Sequence, residues 1–357
     1  MPRLAPIVIV AGLLSAGPVA AQGWQQDWDQ TVAAAKKEGA LTMAIPPGRE
    51  WRDQVMEFQK TYPEIKLDAQ GFNSRDFWPR VVKEREAGQY LWDLRVGGAD
   101  TNVYNFKATG GMAPIRPLLV LPEVTDASKW NGGLDAVFID LDKKYFAGFA
   151  AYESENVYYN AKSVQGPGAG EMANLADAKW AKKVSMADPR GGASVSTLAM
   201  FYEEFGEDFL RRLMRDTTPV ITKDYRQQMD WMASGRYPIA IGLPMPAIVD
   251  YASRGVSIED YKKARGPATM SQGFGGLQMP SKMPHPAATK LFVNWILTKE
   301  VQTQLMAATK LNSRRTDVPP GAPDRVLRPG IKYLNPQSEA FAPYQKKAEA
   351  IVLPYLK

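Results

Sequence analysis

The segment from Asp188 to Thr197 carries the residue types best suited to holding an anion. A short apolar run, Lys183 to Ala187, ends in Asp188-Pro189-Arg190-Gly191-Gly192, and a helical pattern then opens with the hydroxyls of Ser194, Ser196 and Thr197. Free backbone N–H groups at a helix N-terminus, with the positive end of the peptide dipoles behind them, attract negative charge, and glycines let a ligand come close to the backbone. Arg190 adds a planar fork that fits a carboxylate or phosphate. The same residues also read as an ordinary strand-to-helix turn, with Ser194 as N-cap and Arg190 in solvent.

Two further loops follow strand candidates at their carboxyl ends, the edge where open α/β sheets bind ligands. One carries Arg49 in Pro46-Pro47-Gly48-Arg49-Glu50, the other Asp100 and Thr101 in Gly97-Gly98-Ala99-Asp100-Thr101. Asp100 and Thr101 serve equally well as caps of the next helix. Tyr152 and Glu153 lie where the strand-and-helix rhythm breaks, and Arg315 has Asp317 within reach for a salt bridge. Trp51 and Trp78 have faces on which a sugar could stack, although their helical spacing also suits a core.

What is missing narrows the chemistry. The chain has no cysteine, which removes disulfides, thiolate metal sites, cysteine nucleophiles and lipidated cysteine. Its one histidine, His285, precedes Pro286 and so belongs at a helix N-cap. A multi-histidine metal centre is excluded, and no cofactor or metal is expected. Catalysis by a pair of carboxylates, as in a glycosidase, needs neither residue and stays open. The adjacent pair Glu203-Glu204 points two ways on a helix and reads as a solvated face.

These groups must be positioned by a chain of 357 residues with 45% hydrophobic and 23% charged residues, a soluble globular composition of two-domain length. Residues 1–21 stand apart: Arg3 alone is charged, Leu4 to Val19 is apolar or small, and Val19-Ala20-Ala21 offers a cleavage site. A secretory signal peptide is expected, with the mature chain starting near Gln22. It would carry 43 basic residues (44 less Arg3) against 38 acidic, a formal charge of +5. The basic pairs, such as Lys182-Lys183 and Arg211-Arg212, are dispersed among acids, so nucleic acid is not an expected partner.

From Trp24 onward helices and short apolar runs alternate. Helical spacing to Gly39 precedes the run Ala40 to Ile45; Trp51, Val55, Phe58 and Tyr62 precede Ile65 to Ala69; a helix from Ser74 through Glu86 precedes Trp92 to Val96. The alternation predicts a mostly parallel sheet. It breaks between Pro114 and Tyr159, as a crossover would, then resumes with strands at 183–187, 219–222 and 237–243, a return strand at 273–279 and a helix at 286–298. From about Asp317 four prolines predict a strap, followed by a last helix at 338–353 interrupted at Pro343.

The order of these segments resembles the extracellular solute-binding proteins of ABC importers, in the group that includes iron(III) and polyamine receptors. The resemblance rests on Ala35-Lys36-Lys37-Glu38-Gly39, Gly98-Ala99-Asp100, Val157-Tyr158-Tyr159-Asn160, Met186 to Gly192, Gly235 to Gly242 and His285 to Phe292. It implies a two-lobed α/β fold of the type II-like class, with strands crossing between lobes and a ligand in the cleft. Lobe 1 is expected from residues 22–148 and 272–312, lobe 2 from 149–271, and the strap and helix from 313–357. Iron-binding members carry a tyrosine pair where this chain has Leu243-Pro244-Met245-Pro246, which argues against iron.

The resulting expectation is a monomeric periplasmic receptor for a small anionic solute, a carboxylate, delivered to an ABC permease. Its candidate ligand-binding residues are Arg49, Asp100, Thr101, Tyr152, Glu153, Arg190, Gly191, Gly192, Ser194, Ser196 and Arg315. A receptor for a neutral sugar or polyamine and an exported glycosidase are the alternatives.

Overall fold

The computed structural model describes residues 19–263 and 267–356. The expected signal segment lies outside them, apart from the three residues that begin the first helix. The chain runs through α1 (Val19–Glu38), β1 (Ala40–Ile45), α2 (Arg49–Thr61), β2 (Lys66–Gly71), α3 (Ser74–Glu86), β3 (Leu94–Val96), α4 (Thr101–Ala108) and β4 (Met112–Ala113). Two single turns, α5 (Pro122–Thr125) and α6 (Leu134–Val137), lead to β5 (Phe146–Gly148). It leaves through β6 (Tyr152–Glu153) for β7 (Val157–Asn160), β8 (Val184–Ala187), α7 (Gly192–Thr217), β9 (Val220–Thr222), α8 (Tyr225–Ala233), β10 (Ile239–Ile241), α9 (Met245–Ser253) and β11 (Ile258–Asp260). It returns through β12 (Met270–Ser271) to β13 (Gly276–Pro280), α10 (Pro286–Ile296) and α11 (Lys299–Thr309), and the tail ends in α12 (Ala342–Val352).

Two sheets result, one per lobe, with strand orders β2-β1-β3-β13-β4 (β5 also on β13) and β11-β7-β10-β8-β9. β6 and β12 pair antiparallel, Glu153 opposite Met270 and Tyr152 opposite Ser271, and so form the crossing between them. The expected mostly parallel sheet is corrected to a mixed one. β13 enters lobe 1 from the other lobe and lies antiparallel to β3, β4 and β5, while β7 lies antiparallel to β10 and β11. Only the pairs joined by helical crossovers, such as β1 with β2 and β8 with β10, run parallel.

Local physics explains the elements that frame the cleft. Gly39 takes φ 67° and ends α1 in the left-handed conformation that favours glycine, which releases the chain into β1. On α2 the stripe Trp51, Val55 and Phe58 is buried, and Phe58 packs edge-on against Phe292 of α10 at 5.1 Å. Asn73, not Ser74, stands at the N-cap of α3. Pro343 lies in the first turn of α12, where a proline needs no amide partner, and does not interrupt the helix as expected. The sequence pattern left α9 and α11 unread.

Candidate functional site

The cleft between the lobes is built from four helix or strand ends and the crossing strands. Lobe 1 contributes Ser74 and Arg75 at the start of α3 and Arg95 to Gly98 at the end of β3; lobe 2 contributes Gly192 and Ala193 at the start of α7 and Tyr225 at the start of α8. Ser271, Gly273 and Gln337 close the floor. The lobes are shut, and the enclosed space is about 20 Å³, room for about one water. At the mouth it widens to about 470 Å³ between Trp51, Phe274 and Tyr225.

Two guanidiniums face this recess. Arg95 is 3% exposed and donates from Nη1 to Gly98 O at 3.0 Å and Gln278 Oε1 at 3.1 Å, while its buried Nε has no partner. Among the described residues no carboxylate stands within ion-pair distance of it. Loss of water pushes it down to about 10, and the field of Asp100 opposes that shift. The Arg75 side chain is 5% exposed, with Asp76 no nearer than 3.8 Å. It donates from Nη2 across the cleft to Lys223 O at 2.7 Å, and its Nε, the atom nearest Asp76, has no hydrogen-bond partner. Burial pushes the phenol of Tyr225 above its usual range, with Arg75 drawing it back. Buried cations with unused donors are costly unless an anion completes them.

Asp100 sits opposite. Its fully buried carboxylate accepts from Ser74 Oγ and from Asn102 N through Oδ1, both at 3.0 Å, and from Gly192 N of the other lobe through Oδ2 at 2.7 Å. Gly191 has φ +155° and Gly192 φ +71°, and a Cβ at 191 would stand 3.0 Å from Asp100 Oδ2 and 3.1 Å from Arg75 Cβ. The glycines thus let the lobes touch, and the helix start expected to take a ligand anion holds a lobe-1 carboxylate.

Of the residues singled out in the sequence, Asp100, Gly191 and Gly192 meet at this cleft. Arg190 lies beside it, half exposed, with its guanidinium held by Asp188 at 2.8 and 2.5 Å, and its carbonyl accepts from Asn102 Nδ2 at 3.2 Å. Burial works against the Asp188 charge, yet the bonds from Arg190 hold the carboxyl below its usual range. Thr101 turns away and donates to Glu349 of α12 at 2.9 Å. The Ser194 hydroxyl is buried without a partner, and Ser196 faces the crossing strands, beside Ser271. Tyr152 accepts from Met245 N at 3.2 Å within the crossing. The other three lie outside the cleft lining. Arg49 is solvent-exposed with Asp53; Glu153 accepts from Arg328 and Tyr333 beneath the tail; Arg315 is buried with Asp317 and Glu123. His285 caps α10, with Nδ1 2.8 Å from Asp93.

The sequence reading missed Arg75, Arg95 and Tyr225. Arg95 had a signal: a cation within the apolar run Trp92 to Val96. Tyr158 and Tyr159 face opposite sides of their sheet, Tyr158 toward Ser154 and Tyr159 toward Glu259, so they form no pair.

Residues 53–326 match the family described as bacterial extracellular solute-binding protein. The chain belongs to that family. The resemblance to importer receptors read from the sequence is thereby shown, and the glycosidase alternative falls, since the family is one of solute receptors. Similar solved structures include the periplasmic binding protein P5PA, at TM-score 0.70 and 15% identity over 89% of this chain and 100% of that one. Iron-bound HitA from Pseudomonas aeruginosa is similar at TM-score 0.65 and 14% identity, over 88% and 99%. AfuA from Actinobacillus pleuropneumoniae, with fructose-6-phosphate bound, is similar at TM-score 0.65 and 16% identity, over 89% and 97%. At these identities the likeness concerns the fold. No curated protein matches the sequence. No helix among the described residues is long and apolar enough to cross a membrane.

Proposed function

We propose that this solute-binding protein is the periplasmic receptor of an ABC importer and that it binds a small organic anion, a carboxylate, between Arg75, Arg95 and Tyr225. The observation that carries this is the burial of two guanidiniums on one recess, each with an unused Nε donor. Asp100 stands beside them and Asp76 pairs with Arg75 at 3.8 Å from the exposed rim, so among the described residues Arg95 is the buried guanidinium of the recess without an ion-pair partner, one that a single carboxylate neutralises. A polyamine would bring cations to this unpaired guanidinium, and a neutral sugar would leave it without a counter-charge. HitA is an iron-bound structure, but Leu243 and Met245 are buried apolar side chains where the resemblance would put a tyrosine pair. The wider mouth beside Trp51 and Phe274 gives room for the body of the solute. Export through a signal peptide cut near Gln22, a monomeric state and delivery to permease subunits complete the reading.

A thermal-shift screen of carboxylates, phosphonates, neutral sugars and polyamines tests it, together with mass spectrometry of co-purifying small molecules. At about 1,000 times its dissociation constant a true ligand stabilises the fold by about 4 kcal/mol. Shifts from sugars or polyamines, and none from carboxylates, would sink the anion assignment.

A further inference from the structure

We propose that Asp100 is a resident anion: a carboxylate of one lobe that fills the helix start of the other, fastens the lobes together and confines solute anions to the Arg75–Arg95 end of the cleft. Four observations meet on it. Its Oδ2 accepts from Gly192 N, the first residue of α7, at 2.7 Å. Its Oδ1 is fixed by Ser74 Oγ and by Asn102 N, so the carboxylate is held in place by lobe 1 before it meets lobe 2. Facing it are two glycines: a Cβ at Gly191 would press on Asp100, Asn102 and Arg75, and Gly192 has the positive φ of +71° that favours glycine, so the close approach is written into the chain. A second bond, Asn102 Nδ2 to Arg190 O at 3.2 Å, runs parallel to it across the same seam.

Every atom in this contact belongs to the protein, so its stabilisation is available without solute. An anion arriving at the start of α7 has to displace Asp100 and meets its charge; one arriving between the arginines does not. Asp100 is therefore a specificity-determining residue for where, and with what charge, the cleft accepts a ligand. The inference does not depend on which solute is bound.

The test uses the full chain with Asp100→Ser, which keeps a side-chain acceptor for the Asn102 amide at the α4 N-cap but is too short to reach Gly192. Asp100→Asn, which keeps size and cap and removes the charge, guards against a folding defect in the first variant. Without added solute, exchange of the Gly192 and Ala193 amides should accelerate by about tenfold or more, and small-angle scattering should show a larger radius of gyration. Sulfate, used as a probe, should stabilise both variants more than the parent, because the negative charge that occupies the helix start is gone. Parental exchange and radius in both variants, or the same sulfate response in all three proteins, would overturn the proposal. A failed carboxylate screen would remove the anion reading of the arginine recess and leave these measurements standing.

Discussion

A guanidinium that loses water and gains no carboxylate is expensive to keep, and Arg95 is such a group. Its structural bonds are few, and Gly98 O retains a donor without it, since Gln278 Nε2 reaches the same carbonyl at 3.1 Å. Arg95→Met should therefore lower unfolding free energy by no more than about 1–3 kcal/mol, because an apolar side chain of similar length removes the buried charge and leaves only the buried Gln278 Oε1 without its donor. Affinity for the bound carboxylate should fall by about 2–5 kcal/mol. Urea titration and calorimetry separate the two; a large loss of stability with affinity preserved would make Arg95 a packing residue. The same physics explains why the sequence pointed to Arg190. Glycines and a helix start beside an arginine are visible locally, but Asp188, two residues earlier, takes its fork. Arg75 and Arg95 come together only because the start of α3 and the end of β3, 20 residues apart, meet across from α8, and no local pattern records that.

At the scale of elements, the runs that became β1, β2 and β8 were legible because a buried strand shows as a short apolar segment between helical stripes. Strand direction was not: β13 is placed by the chain's return from the other lobe, a nonlocal fact. Among the helices α12 has the most to do, since it lies on α7 of lobe 2 and receives Thr101 of lobe 1 on Glu349. Burial pushes Glu349 up to about 7, and the Asp100 charge adds to this, while the Thr101 bond and Lys346 on its own helix oppose it. The folded state then binds this proton more tightly than the unfolded chain, whose carboxyl titrates near 4.5. Stability is greatest below that range, falls as pH rises through it to about 7, and stays reduced above. Glu349→Gln should remove the fall and stabilise the protein at pH 8 by about 1–2 kcal/mol, a figure discounted for the partial exposure of the carboxylate. Denaturation midpoints at pH 5 and pH 8 check this; the same pH dependence in parent and variant would reject it.

The whole molecule is two lobes, yet its apolar core does not stop at the crossing. One cluster runs from Leu94, Val96 and Leu277 of lobe 1 through Phe149, Ala150 and Tyr152 to Tyr158, Met229 and Leu243 of lobe 2. The tail adds a second tie. Leu334 bonds with Ala268 and Met270 beside the crossing strands, Gln337 O accepts from Tyr104 of lobe 1, and Ile351 and Val352 join the outer core of lobe 2. Lobes sharing a core and a strap should lose structure together, so calorimetry should show one transition whose calorimetric and van't Hoff enthalpies agree. Ile351→Ala, which opens a cavity under α12 at a cost of about 2–4 kcal/mol, should move that single transition down by a few degrees and not split it. Two peaks in the variant, the lower one assigned to lobe 2 by hydrogen exchange, would show instead that the strap is all that couples the lobes. Two peaks already in the parent would show that the continuous core through Tyr152 does not couple them at all.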